Sequence, residues 1–250
     1  MNLQASHTGC WHGFHLCEFQ FEGYDAIIVF PKVPTLKRNF AIKTEYWNAF
    51  PEGIELALVE AGFHLCYIKN KNRWGLQEDV DRKGRFIRYI AQKYDLNEKV
   101  VPVGMSCGGM FAIKMACAYP ELMGCLYLDA PLIQHMSINR INASDEDLLK
   151  DEIVQEIMGA LELKTAEDFR NYDKMPIHMM DKLLAARIPA VLVLGAADTV
   201  LPYMENGMVV KAEYEKAGIP IRTYIKPNCD HHPHGMEDPA PVLKDILELI

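Results

Sequence analysis

The run Gly104-Met105-Ser106-Cys107-Gly108-Gly109 places one hydroxyl nucleophile between glycines two positions before it and two after it. It follows the apolar stretch VVPVG and opens the apolar stretch CGGMFAIKMACAY. A serine between a strand and a helix can be carried on a tight, strained turn that presents its hydroxyl at the carboxyl end of a sheet. Glycines at that spacing let the chain fold back on itself. The N–H of Cys107 then lies at a helix N-terminus beside the hydroxyl, and it supplies half of an oxyanion hole. A glycine-rich strand-to-helix turn without chemistry has the same composition. The strand and helix that flank this one favour the nucleophile.

A nucleophilic serine needs a base, and the base needs a carboxylate to orient it. Of nine histidines, three stand together in Cys229-Asp230-His231-His232-Pro233-His234-Gly235, just past an apolar strand candidate. Loops at the carboxyl ends of strands are where α/β proteins assemble their sites. The cluster also invites a metal reading. Pro233 and the lack of a paired Cys or carboxylate at ligand spacing weigh against zinc, and no metal is expected. The carboxylate candidate is Asp198 in LVLGAADTVLP, again just past an apolar strand, where an isolated Asp would read as a helix cap. Ser106, Asp198 and His231 thus each follow a successive predicted strand. That agreement of three placements is the strongest signal in the chain.

The elements that must position these residues alternate regularly. Short apolar, β-branched segments fall at 16–21, 26–30, 63–68, 100–104, 125–128, 190–194 and 221–225, with helix-length segments at 44–61, 78–94, 107–119, 203–217 and 239–249. Strand–helix–strand alternation predicts a mostly parallel sheet covered by helices on both faces. Phe19, Phe21 and Tyr24 alternate with charged or polar neighbours, which predicts an antiparallel hairpin on one edge. Residues 131–187 carry helical pieces and no convincing strand, so they read as a lid or cap inserted into one α/β domain spanning 1–250. Met136, Met158, Met175, Met179 and Met180 lie in this segment, and simple packing is their first explanation.

Composition sets the outer limits. With 250 residues, 50% of them hydrophobic, the chain can bury a full core without disulfides. Its net charge of −8 and the absence of a basic stripe argue against nucleic acid as partner. No apolar run reaches the ~18–20 residues of a membrane span, and the first ten residues lack a signal-peptide pattern. Seven cysteines without CxxC spacing fit a reducing compartment, and the expected location is the cytoplasm.

The chain order Ser106, Asp198, His231 is that of the α/β hydrolases, and the sequence resembles that superfamily from Phe19 to Ile250. Within it the chain is similar to a branch of small esterase-like serine hydrolases, some of which act on carbohydrate-linked esters. The residues that carry this likeness are Pro31-Lys32, GMSCGG, Asp129-Ala130-Pro131, ADTVLPYMEN and HHPHGMEDPAPV. The resemblance implies the α/β-hydrolase fold, with a helical lid insertion after the sixth strand. It implies His231 as general base, with His232 as the second choice, because relatives often have Gly where this chain has Asp230. Relatives commonly carry a polar or basic residue where Cys107 stands. The second oxyanion donor is expected from Lys32 or Val33, Glu45 is expected to order that region or to touch substrate unless it is merely a first-turn helix residue, and His232, if not the base, is expected to touch substrate.

The reading is therefore a serine hydrolase of small-molecule carboxylic esters, working through an acyl-enzyme and without a cofactor. Two others stay open: a non-catalytic binding protein on the same fold, and a peptidase, acyltransferase or lyase with the same triad. A homo-oligomer formed through the apolar C-terminal helix also stays open.

Overall fold

The computed structural model describes residues 7–49 and 51–250. The chain enters through β1 (His7–Trp11), β2 (Phe14–Phe21) and β3 (Tyr24–Phe30), an antiparallel meander in which Phe21 faces Tyr24 across the second turn. It continues through β4 (Phe40–Lys43), α1 (Gly53–Glu60), β5 (His64–Ile68), α2 (Gln77–Tyr94), β6 (Val100–Met105), α3 (Cys107–Ala118) and β7 (Leu126–Asp129). Five short helices follow: α4 (Ile138–Ile141), α5 (Asp145–Lys150), α6 (Glu152–Ala160), α7 (Ala166–Arg170) and α8 (Met180–Ala186). The chain closes with β8 (Ala190–Gly195), α9 (Gly207–Lys216), β9 (Ile221–Lys226) and α10 (Ala240–Leu249).

These strands form one sheet in the order β1-β2-β3-β5-β4-β6-β7-β8-β9. From β5 to β9 every pairing is parallel, whereas β3 runs antiparallel to β5. The middle strands are buried on both faces, which is why they read as continuous apolar runs. Their side chains alternate between two cores. Ile42, Cys66, Leu128 and Leu192 face α2, α3, α8 and α9, while Ala41, Leu65, Tyr127 and Val191 face α1 and α10.

Two strands escape the sequence reading. The first, β1, is mostly exposed and carries no apolar alternation. The second, β4, is a four-residue buried segment whose signal was absorbed into its surroundings. The helix expected over 44–61 is in fact only Gly53–Glu60, since Tyr46 has a left-handed φ of 58° and Pro51 precedes the helix. With both extra strands counted, the helical segment 131–187 follows the seventh strand rather than the sixth. It contains no strand among the described residues. Much of it gathers into a separate apolar cluster in which Val154, Ile157, Met158, Phe169 and Met175 pack with Trp74, Cys107 and Met110. Among the described residues no helix is long and apolar enough to cross a membrane. All seven cysteines are unpaired.

Candidate active site

Ser106 sits between β6 and α3 with φ 52° and ψ −119°, a conformation that a non-glycine residue adopts only when its surroundings hold it there. Three backbone bonds do so. Its N–H donates to the Asp129 carbonyl at 2.9 Å, and its carbonyl accepts from Gly109 N at 2.9 Å and Leu132 N at 3.0 Å. The flanking glycines are required by close approach. A Cβ on Gly104 would lie 2.6 Å from the Gly108 carbonyl oxygen, and one on Gly109 would lie 2.6 Å from Pro131 Cβ.

The loops after β8 and β9 bring the other two residues to this hydroxyl. His231 Nε2 lies 3.1 Å from Ser106 Oγ, and His231 Nδ1 lies 2.8 Å from Asp198 Oδ2. Asp198 and His231 are both buried. The other oxygen of Asp198 accepts from Val200 N at 2.9 Å and Leu201 N at 2.7 Å, which fixes the carboxylate. A carboxylate only accepts, so Nδ1 of His231 carries the proton and Nε2 presents a lone pair to the serine O–H. His232 is exposed, and its ring meets that of His231 edge-on at 5.0 Å without reaching between the serine and the aspartate. Asp230, where relatives often have Gly, accepts from His231 N at 2.7 Å and thereby anchors the loop.

Lys32 is placed elsewhere. It follows the carboxyl end of β3, and because β3 opposes β5, that end lies beside the start of the parallel strands, across the sheet from Ser106. Lys32 and Val33 are exposed there, and Lys32 Nζ lies over the Phe14 ring, 5.5 Å from its centroid. Neither can supply an oxyanion donor. The loop that does reach the serine follows β4. In it Thr44 donates its hydroxyl to the Gly108 carbonyl at 2.7 Å, and Glu45 accepts from Tyr46 N at 3.2 Å and from the Asn70 side chain. Glu45 therefore belongs to no helix; it ties this loop to the end of β5. The Cys107 N–H, at the first position of α3, has no acceptor within the helix.

Several neighbours went unnoticed in the sequence. A cavity of about 130 Å³ borders Ser106 and Cys107 and is lined by Tyr46, Arg73, Trp74 and Leu132 together with residues of 131–187 that include Arg140 and Ile157. Burial pushes the Tyr46 phenol and the Cys107 thiol up from their ordinary values, so both stay protonated, and the two groups interact with each other and with Arg73. Arg73 also pairs with Glu156, to which Trp74 Nε1 donates at 3.0 Å, and Arg140 pairs with Asp151 at 3.1 Å. Both guanidinium groups are thus neutralised, and the first pair fastens α6 to the loop after β5. A long-range cluster of this kind leaves no short motif, which is why only the structure shows it.

No family model and no curated protein matches the chain. Solved structures do. The dipeptidyl peptidase 4 of Porphyromonas gingivalis is similar with a TM-score of 0.68 at 15% identity, over 95% of this chain and 35% of that one. The acylaminoacyl peptidase of Pyrococcus horikoshii is similar with a TM-score of 0.62 at 16% identity, over 88% of this chain and 38% of that one. An acylaminoacyl peptidase in complex with Z-Gly-Gly-Phe-chloromethyl ketone gives a TM-score of 0.64 at 16% identity. This chain spans little more than a third of the length of these proteins. At such identities the likeness speaks for the fold, and the chain has the α/β-hydrolase fold that these proteins share.

Proposed function

We propose that this chain is a serine hydrolase that cleaves carboxylic esters through an acyl-enzyme on Ser106. The observation that carries this reading is the pair of contacts at His231, with Ser106 Oγ at 3.1 Å on one nitrogen and Asp198 Oδ2 at 2.8 Å on the other. His231 takes the serine proton as Oγ attacks the ester carbonyl, and Asp198 stabilises the imidazolium that forms. The Cys107 N–H receives the developing oxyanion. We assign the second donor to the Tyr46 hydroxyl, which is protonated and borders the same cavity. His231 returns the proton to the leaving alcohol, then activates water to release the acid.

The cavity of about 130 Å³ is well below the ~300–1,000 Å³ of sites for drug-sized ligands, which supports a short acyl group. A larger depression of about 820 Å³ shares Tyr46 with it and includes Trp47 and Tyr67, whose ring centroids lie 5.6 Å apart. Such an aromatic surface, edged by Asp25 and Lys69, suits a sugar-like alcohol. Residues 131–187 act as the cap on the acyl side. A peptidase reading is favoured by the names of the similar structures, and it uses the same steps with an amine as leaving group.

Labelling with a fluorophosphonate and peptide mapping test the nucleophile. Ser106 is expected to be modified in the wild type and unmodified in Ser106→Ala, with labelling strongly slowed in His231→Ala. A panel of short-chain p-nitrophenyl esters against peptide p-nitroanilides then separates esterase from peptidase. A folded wild type that resists the probe would leave a binding protein on the same fold.

A further inference from the structure

We propose that His231, His232 and His234 form a binding site for one zinc-class cation, and that filling it withdraws the lone pair on which Ser106 depends. One nitrogen of each ring lies within 4.8 Å of one nitrogen of each of the others. The three rings form a triangle, with centroids 5.0, 4.9 and 4.7 Å apart and planes crossing at 77–80°. A tetrahedral zinc with bonds of about 2.0–2.1 Å separates its nitrogen ligands by about 3.3 Å, so closure asks for movements on the order of 1 Å.

Two of the rings are already prepared as ligands. His231 Nδ1 pairs with Asp198 at 2.8 Å, and His234 Nδ1 pairs with Asp129 at 3.0 Å. Both histidines and both carboxylates are buried. Donation from Nδ1 to a carboxylate fixes the tautomer and leaves Nε2 as the unprotonated nitrogen, the arrangement that backs metal-bound histidines. Asp129 is held in turn by the Tyr127 hydroxyl at 3.0 Å and by Gly235 N. The carboxylate that the local sequence lacked therefore arrives from β7, 105 residues before His234.

The hydrolytic steps make no use of His234 or its aspartate, although both are buried and paired. The exposed His232 leaves the cluster open to solvent and gives the ion a way in. Three imidazoles favour zinc, copper or nickel over magnesium or calcium. A fourth position stays open for water. A cation on His231 Nε2 displaces the Ser106 O–H from that nitrogen, and the serine loses its proton acceptor. Binding follows from the histidines alone; the resulting inhibition rests on the hydrolase reading above.

The test uses the full chain, freed of metal by chelator and dialysis and titrated with zinc chloride in a calorimeter. The wild type should bind one zinc per chain. His232→Ala and His234→Ala should each weaken binding at least about tenfold, and Asp129→Asn about 10–100-fold, as expected when a carboxylate behind a ligand is lost. His232→Ala alters an exposed side chain, so it keeps the test valid if the buried variants fail to fold. Cobalt as a probe should give tetrahedral absorption without a thiolate charge-transfer band, which sets this site apart from Cys229 and the other thiols. Zinc should inhibit hydrolysis of a p-nitrophenyl ester, and chelator should restore it. Absence of stoichiometric binding, or binding unchanged in both His232→Ala and His234→Ala, overturns the site. Binding without inhibition in an active esterase overturns the inhibitory role. Zinc binding by a chain that resists the fluorophosphonate even when metal-free would overturn the hydrolase reading and leave the site standing.

Discussion

The carboxylate of Asp230 grips Thr199, accepting its N–H at 2.7 Å and its hydroxyl at 3.0 Å, and the same oxygen accepts the N–H of His231 at 2.7 Å. Thr199 directly follows Asp198, so this one side chain binds the loop of the aspartate to the loop of the histidine. Gly195 permits the contact, because a Cβ there would stand 2.5 Å from the Asp230 carbonyl oxygen.

Asp230→Ala should therefore lower kcat/KM by about 10–100-fold through misplacement of His231, with most of the change in kcat. Asp230→Asn, which keeps acceptor oxygen, should lose less. Steady-state ester hydrolysis checks this. Equal losses in the two variants would show that charge, and not the clamp, matters.

Tyr46→Phe removes a hydroxyl and little volume. If that hydroxyl receives the oxyanion, kcat should fall by about 10²–10³-fold, the usual cost of one oxyanion donor. KM should change little. A kcat within twofold of wild type would assign the second donor to the backbone of the same loop.

Gly104→Ala introduces a methyl 2.6 Å from the Gly108 carbonyl oxygen, and backbone cannot yield as a side-chain tip can. Overpacking of this kind costs about 1–3 kcal/mol. Thermal unfolding should show a Tm lower by about 2–12 °C, at about 2–4 °C per kcal/mol for a chain of this size. Activity should fall with it, because Ser106 is displaced.

His64 is buried at the start of β5, and its Nδ1 has no hydrogen-bond partner. Burial first, and then the nearby Arg38 charge, lower its pKa to about 4. In the unfolded chain the value is about 6.5, so between these limits the unfolded state binds more protons. Its contribution is complete above the unfolded value and is lost as pH falls toward about 4. Denaturant unfolding at neutral and mildly acidic pH should show a smaller acid loss for His64→Gln than for wild type. Parallel losses would remove His64 from the account.

Much of the site was legible because its signals are local. Ser106 lies in a six-residue run with its own strand and helix, Asp198 follows β8, which is buried on both faces, and His231 stands in a histidine cluster just past the edge strand β9. Other parts depend on contacts that no short window contains. Lys32 was misplaced because the direction of β3 is set by its pairing with β5, and composition does not encode direction. The four residues of β4 are too few to show a period, so the loop after them, with Tyr46, lost its anchor. The Asp129–His234 pair joins residues 105 positions apart, and the short run around each gives no sign of the other.

The same arrangement bears on how the chain folds. Ser106 and His231 lie 125 residues apart, and the contact between them exists only when β6, β7, β8 and β9 have paired in turn, all in parallel. Parallel pairing of distant segments is slow, because each closure loses chain entropy before any contact rewards it. In a refolding experiment, helical circular dichroism should return first. The serine–histidine contact is then among the last to form, when the edge strand β9 docks on β8.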